Sequence, residues 1–225
     1  DVGVASMGST QIGLEFNVLF HLVGESAGAF SAEAGLTIVG EMAEEAGIQS
    51  WDYKHVDLTE AAIDVNTGSF SIAGSLTNFK NNSVYGNGFR GEVVFTLIDK
   101  IEVEAMALFG KVESLRYWYT DALVELPAGP AIGALEFNQF GGGAYYHMMR
   151  AGEGDASGQL GQTSTGVVYT PDKYTNLGVK ARIGFATVGS EKVFNGDATF
   201  EMAFTSSGGI QSLDLKGNGY FMTPD

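Results

Sequence analysis

The chain has 225 residues, 27 acidic and 12 basic, for a net charge of −15. A field of that sign repels phosphate backbones and anionic lipid heads, which argues against nucleic acid and against docking on an acidic membrane surface. With no cysteine, disulfides, thiolate catalysis and Cys-based zinc or iron–sulfur centres are excluded.

Amphipathic strands run through the whole sequence. Gly13 to Val23 alternates Leu14, Phe16, Val18 and Phe20 with Glu15, Asn17, Leu19 and His21. A glycine-bearing turn, Gly24 to Gly28, leads to a second alternating run, Phe30 to Val39. Two such runs across a short turn read as a β-hairpin. Glu41 to Gly47 carries helix-favouring residues but is short, so a turn or loop is expected there. Trp51 to Val65 returns to strand, and Asp64 to Gly68 is rich in turn formers. Phe70 to Leu76 forms another strand, followed by a loop at Asn81 to Gly88.

Phe89 to Tyr119 reads as three strands that break near Asp99-Lys100 and at Gly110 to Ser114. Within it Ile101, Val103, Ala105, Ala107 and Phe109 are expected to face inward, with Glu102 and Glu104 facing the other way. Pro127 to Pro130 marks a turn, and Gly141 to Met149 fits either strand or short helix. Residues 151–166, mostly Gly, Ser, Gln and Thr, read as a mobile surface loop inside one domain covering 1–225. Leu177 to Val188, Ala198 to Ser206 and Ile210 to Lys216 close a meander, with a hairpin turn at Ser207-Gly208-Gly209.

These patterns predict an all-β, mostly antiparallel fold of about a dozen strands, of ordinary length. A strongly curved sheet or barrel is expected, with a β-sandwich as the alternative. No apolar run approaches the ~20 residues of a membrane helix. A barrel with its apolar face outward, in an outer membrane, is a further alternative. Alanine and glycine at many apolar positions, and aromatic residues gathered in a few segments, count against it. The chain begins at Asp1 without a Met, as a mature product or an excised piece would.

Two groups of residues suit ligand binding. Arg116, Trp118, Tyr119 and Asp121 set aromatic rings beside charges, a combination that stacks on sugars or planar ligands. Tyr145, Tyr146 and His147 form the second group. The plain alternative for both is core packing and a cross-strand aromatic ladder. The glycines at 141–143 lack the Lys-Ser/Thr of a phosphate-binding loop. His21, His55 and His147 have no metal-ligand spacing, so no metal or other cofactor is expected beyond surface calcium on acidic turns. Glu102 and Glu104, two apart on one strand, form a carboxylate pair at a spacing within the range of glycosidases, and a solvated face explains them as well.

The acidic, glycine-rich, cysteine-free style resembles modules of bacterial exported and surface proteins in composition alone. The expected function is a non-enzymatic structural or binding module of an extracellular or cell-surface protein. Its partners would be other protein domains at its strand edges, or a small apolar or sugar ligand. A small-ligand barrel and a carbohydrate-active enzyme stand as alternatives beside the outer-membrane barrel.

Overall fold

The computed structural model describes residues 2–6, 11–21, 29–45, 48–67, 69–97, 100–151, 159–190 and 192–222. The expected turn at 24–28 and most of the segment 151–158 lie outside them. The fold is all-β, and each described pairing is antiparallel. The chain packs as two compact units, Asp1–Asn78 and Phe79–Asp225.

The first unit holds β1 (Val2–Ser6), β2 (Gln11–His21), β3 (Ala29–Glu45), β4 (Ile48–Asn66) and most of β5 (Phe70–Asn82), paired in chain order. Strand β3 continues through Glu45, pairing Met42 with Trp51 and Glu44 with Gln49. The turn or loop expected at 41–47 is therefore strand at least as far as Glu45. Helix propensity in so short a segment is weak against a ready ladder partner. Gly40 is needed where it stands: a Cβ there would fall 2.0 Å from the Trp51 ring.

The second unit opens with a turn. Asn82 Oδ1 accepts from the backbone N–H groups of Val84 and Tyr85, both at 2.9 Å, the local bond that makes Asn a turn former. There follow β6 (Gly86–Leu97), β7 (Glu102–Val112), β8 (Leu115–Glu125), β9 (Ala131–Ile132), β10 (Leu135–Tyr146), β11 (Met148–Arg150), β12 (Tyr169–Pro171), β13 (Thr175–Thr187), β14 (Phe194–Thr205) and β15 (Ile210–Phe221). Strands β6, β7, β8, β10, β13, β14 and β15 lie side by side in that order, with β9 on β10. A separate ribbon pairs β11 with β12. Residues 141–146 are strand, and His147, with φ of 51°, breaks the chain between β10 and β11. Gly208, with φ of 84°, makes the expected hairpin turn before β15. No closing pair is described for a barrel: β15 bonds to β14 alone among the described residues.

The two faces of this second sheet differ. One is capped: Tyr85, Met106, Leu108, Tyr117, Tyr119, Tyr145, Met148 and Tyr169 form its buried core. Met106 and Leu108 share that face with Glu102 and Glu104, while Ala105 and Phe109 are exposed. The inward face expected for β7 is thus reversed. Alternation separates two faces of a strand but does not say which one the rest of the chain will cover.

The opposite, bare face is apolar across all seven strands. Phe89, Phe109, Trp118, Tyr146, Leu177, Phe204 and Ile210 stand in one transverse row. Phe95, Val103, Val124, Phe140, Ile183, Ala198 and Gly217 stand in another, six residues further along β6. Smaller residues fill the middle of the two rows between, where Ala107, Thr120, Ala144 and Val179 lie in line, as do Ala105, Ala122, Gly142 and Ala181. On β14 and β15 these rows carry Met202 with Leu213 and Phe200 with Leu215. None of these positions is charged. In the end row the rings stack: Phe89 on Phe109 at 5.1 Å and Trp118 on Tyr146 at 6.4 Å between centroids.

Candidate functional site

The capped face of the second unit gathers polar groups that its neighbours expose to one another and not to water. Lys180 on β13 extends across Gly143 on β10 to reach Asp121 on β8. Its Nζ lies 3.3 Å from Asp121 Oδ2 and donates to Tyr119 Oη at 2.7 Å. The register makes this reach possible, because Gly143 pairs with both Asp121 and Lys180 and puts no side chain between them. Both ends of the ion pair are enclosed, with Lys180 and Asp121 side chains 4% and 2% exposed. Tyr119 Oη donates in turn to Asp121 Oδ2 at 2.8 Å, and Ser164 Oγ adds a longer bond at 3.3 Å.

A second node forms one strand over by the same device. Tyr145 on β10 lies over Gly178 on β13, and its hydroxyl donates to Glu201 Oε1 on β14 at 2.7 Å. Tyr169, from the ribbon, donates to the same oxygen at 2.7 Å. Burial first, then the Glu201 carboxylate, pushes the Tyr169 phenol above its ordinary value, so it stays a donor. Tyr85 Oη donates to the Tyr169 carbonyl at 2.8 Å, and Tyr117 Oη to the Tyr85 carbonyl at 2.6 Å. The ribbon is therefore fastened to the sheet by a chain of tyrosine hydroxyls, each with an acceptor. Charged acceptors make such bonds worth about 1.5–3 kcal/mol each.

Beside this network opens a cavity of about 340 Å³. Its walls include Arg150, Lys180, Arg182 and Lys216, together with Asp197 and Glu201. Arg182, Thr199 and Lys216 stand in one transverse row on β13, β14 and β15. A second cavity shares Arg182 and Asp197 and continues to Asn138, Gln139 and Tyr220.

The seven residues singled out in the sequence fall on both faces. Tyr119, Asp121 and Tyr145 are buried in the capped network. Trp118 and Tyr146 stack on the bare face. The Arg116 side chain is exposed, while its carbonyl lies 2.9 Å from His147 Nδ1. The His147 ring sits against Tyr146 at 3.9 Å. One ligand cannot meet both groups from one side of the sheet, since adjacent strand residues point opposite ways. Among the described residues no group of three or more His, Asp or Glu is placed to hold a metal ion. Glu102 and Glu104 stand on the capped face, Glu102 directly opposite Glu125, whose Oε1 accepts from Gln139 Nε2 at 2.6 Å.

Sequence reasoning missed Lys180, Arg182 and Glu201. A signal was present: Lys180 and Arg182 alternate with Val179, Ala181 and Ile183, and Asp197, Thr199 and Glu201 alternate with Ala198, Phe200 and Met202. Strands this polar on one side and this apolar on the other mark a face where charge is gathered.

No protein family, curated protein or solved structure matches the chain.

Proposed function

We propose that this chain is a non-enzymatic, membrane-embedded module of a bacterial envelope protein, its strands spanning the bilayer as in an outer-membrane β-barrel. The observation that carries this reading is the bare face: four successive transverse rows over seven strands without one charge. Soluble monomers rarely expose apolar patches beyond a few hundred Å². Here Phe89, Phe109, Phe140, Phe200, Leu213 and Leu215 are all exposed on it. Asp121, Lys180, Arg182 and Glu201 gather instead on the capped face, as charged residues do on the lumen side of a membrane barrel, and Lys111 and Arg116 stand beyond the aromatic end row.

Dimensions agree with that reading. Strands β7, β8, β10, β13, β14 and β15 have 11 to 13 residues, and a tilted membrane strand needs about 9–11. The stacked aromatic row at one end and the Phe-bearing row at the other suit the two interfaces. The small residues between them, which count against a membrane barrel in the sequence alone, then occupy the hydrocarbon layer. A net negative charge opposes docking on anionic headgroups, but that argument does not touch a face that carries no charge. Lipid leaves no edge group a water partner, so the reading includes closure of the sheet, with a further strand on the outer edge of β15.

The test is refolding of the full chain from urea, with and without non-ionic micelles or phosphatidylcholine vesicles. Folding to strand-rich circular dichroism is expected only with lipid or detergent. Fluorescence of Trp118 in a Trp51→Phe background should be quenched by brominated acyl chains. A monodisperse protein without detergent, with Trp118 unquenched by such vesicles, would sink the proposal.

A further inference from the structure

The cavity on the capped face is lined by four of the chain's 12 Lys and Arg residues and two carboxylates, with Lys180 already paired to Asp121, in a protein of net charge −15. We propose that it binds a phosphate-type oxyanion, as free phosphate or as a phosphate monoester. The inference goes beyond the membrane reading and does not rest on it, because the cavity is built from capped-face residues and the membrane reading from the bare face.

The bonding around the cavity leaves donors in surplus. Glu201 Oε1 already accepts two tyrosine hydroxyls. Its other oxygen lies 3.8 Å from Arg150 Nη1, an ion-pair distance too long for a hydrogen bond. Asp197 accepts from Asn218 Nδ2 at 3.2 Å, and Arg182 Nη2 stays 3.6 Å from it. Arg182 Nε is enclosed and has no acceptor. Lys216 is exposed at the rim, in the same row as Arg182 and Thr199. Guanidinium and ammonium groups with unfilled donors, converging on one space, suit an oxyanion with several acceptor oxygens.

Size and range decide the rest. About 340 Å³ is at the small end of ligand pockets and leaves room for a small ester group beyond the phosphate. The chain's overall negative charge opposes approach only weakly, since fields are screened beyond about 8 Å at physiological salt. Apart from Lys180, which is paired with Asp121, the lining offers Arg150, Arg182 and Lys216 against Asp197 and Glu201.

The experiment is calorimetric titration of the full chain, in non-ionic micelles if it needs them, with inorganic phosphate and with glycerol phosphate. Saturable binding that weakens with added chloride is expected. Lys216→Gln, at an exposed side chain that makes none of the buried network's hydrogen bonds, should weaken it roughly tenfold, about 1.4 kcal/mol, and Lys111→Gln on β7 should leave it unchanged. Tighter binding of glycerol phosphate would assign the site to esters; tighter binding of inorganic phosphate, to the free ion. No saturable heat from either probe, or equal binding by the Lys216→Gln and unaltered chains, would overturn the proposal. Either result is separable from the membrane reading, which is judged by detergent dependence and Trp118 quenching.

Discussion

On the capped face of the second unit, Lys180 reaches across one strand to an enclosed Asp121, and two tyrosines converge on Glu201. On the bare face of the same strands, one residue away along each, Val179, Ala181, Phe200 and Met202 meet no covering layer. A soluble sheet is ordinarily built the other way, with the apolar side covered and the charged side wet. The contrast teaches that a strand's polarity pattern and its burial are separate facts. Here covering has fallen on the polar side, and the surroundings of the apolar side must come from outside these residues.

The largest effect is expected from breaking the capped side. Lys180→Met leaves the Asp121 carboxylate enclosed without its cation, and removal of one partner of such a pair costs about 3–5 kcal/mol. A urea titration of the refolded protein reads this as a lower midpoint. Adding Asp121→Leu in the same chain should recover most of the loss, because a well-packed apolar pair can replace a buried ion pair. A single variant as stable as the parent would mean that the pair is not enclosed.

The bare side is tested by a charge at its middle. Ala122 is exposed there, between Ala105 and Gly142. In lipid, Ala122→Arg should cost about 2–4 kcal/mol at mid-depth. On a sheet facing water the same change should stay within about 0.5 kcal/mol. Folding equilibria in vesicles separate these values well, so this substitution sharpens the contrast between the faces more than any on the capped side.

Much of this architecture is legible in the residues. Alternation places β7, β13 and β14 within a few positions, while β8, expected to end at Tyr119, runs on to Glu125; glycines with polar neighbours mark the hairpins. The breaks expected near 99–100 and 110–114 separate β6 from β7 and β7 from β8. Register is not legible in this way. The aromatic residues read as scattered segments until Phe109, Trp118 and Tyr146 fall into one row, and that row exists only through pairing. The direction of burial was equally hidden, since Met106 and Leu108 share a face with two glutamates. For the site, Tyr119, Asp121 and Tyr145 could be picked out as a polar aromatic group. Lys180 and Glu201 show in the sequence only as charges on alternating strands; their partners, 59 and 56 residues away, do not.

The smallest effect tests the glycine under Tyr145. A Cβ at Gly178 would fall 2.0 Å from Tyr145 Cζ. The ring cannot simply swing aside, because its hydroxyl is held at the far end by Glu201. Gly178→Ala should therefore cost about 1–3 kcal/mol, the range for overpacking a filled space. Gly142, on the bare face of the neighbouring strand, has its nearest contact at 3.6 Å, the Lys180 carbonyl oxygen. Gly142→Ala should be neutral or raise stability by up to about 1 kcal/mol, through the reduced freedom of the unfolded chain. The same change on two adjacent strands then reads the packing of each face directly. If both substitutions proved harmless, Tyr145 would not be fixed on Glu201, and the capped face would be looser than the network of tyrosine hydroxyls requires.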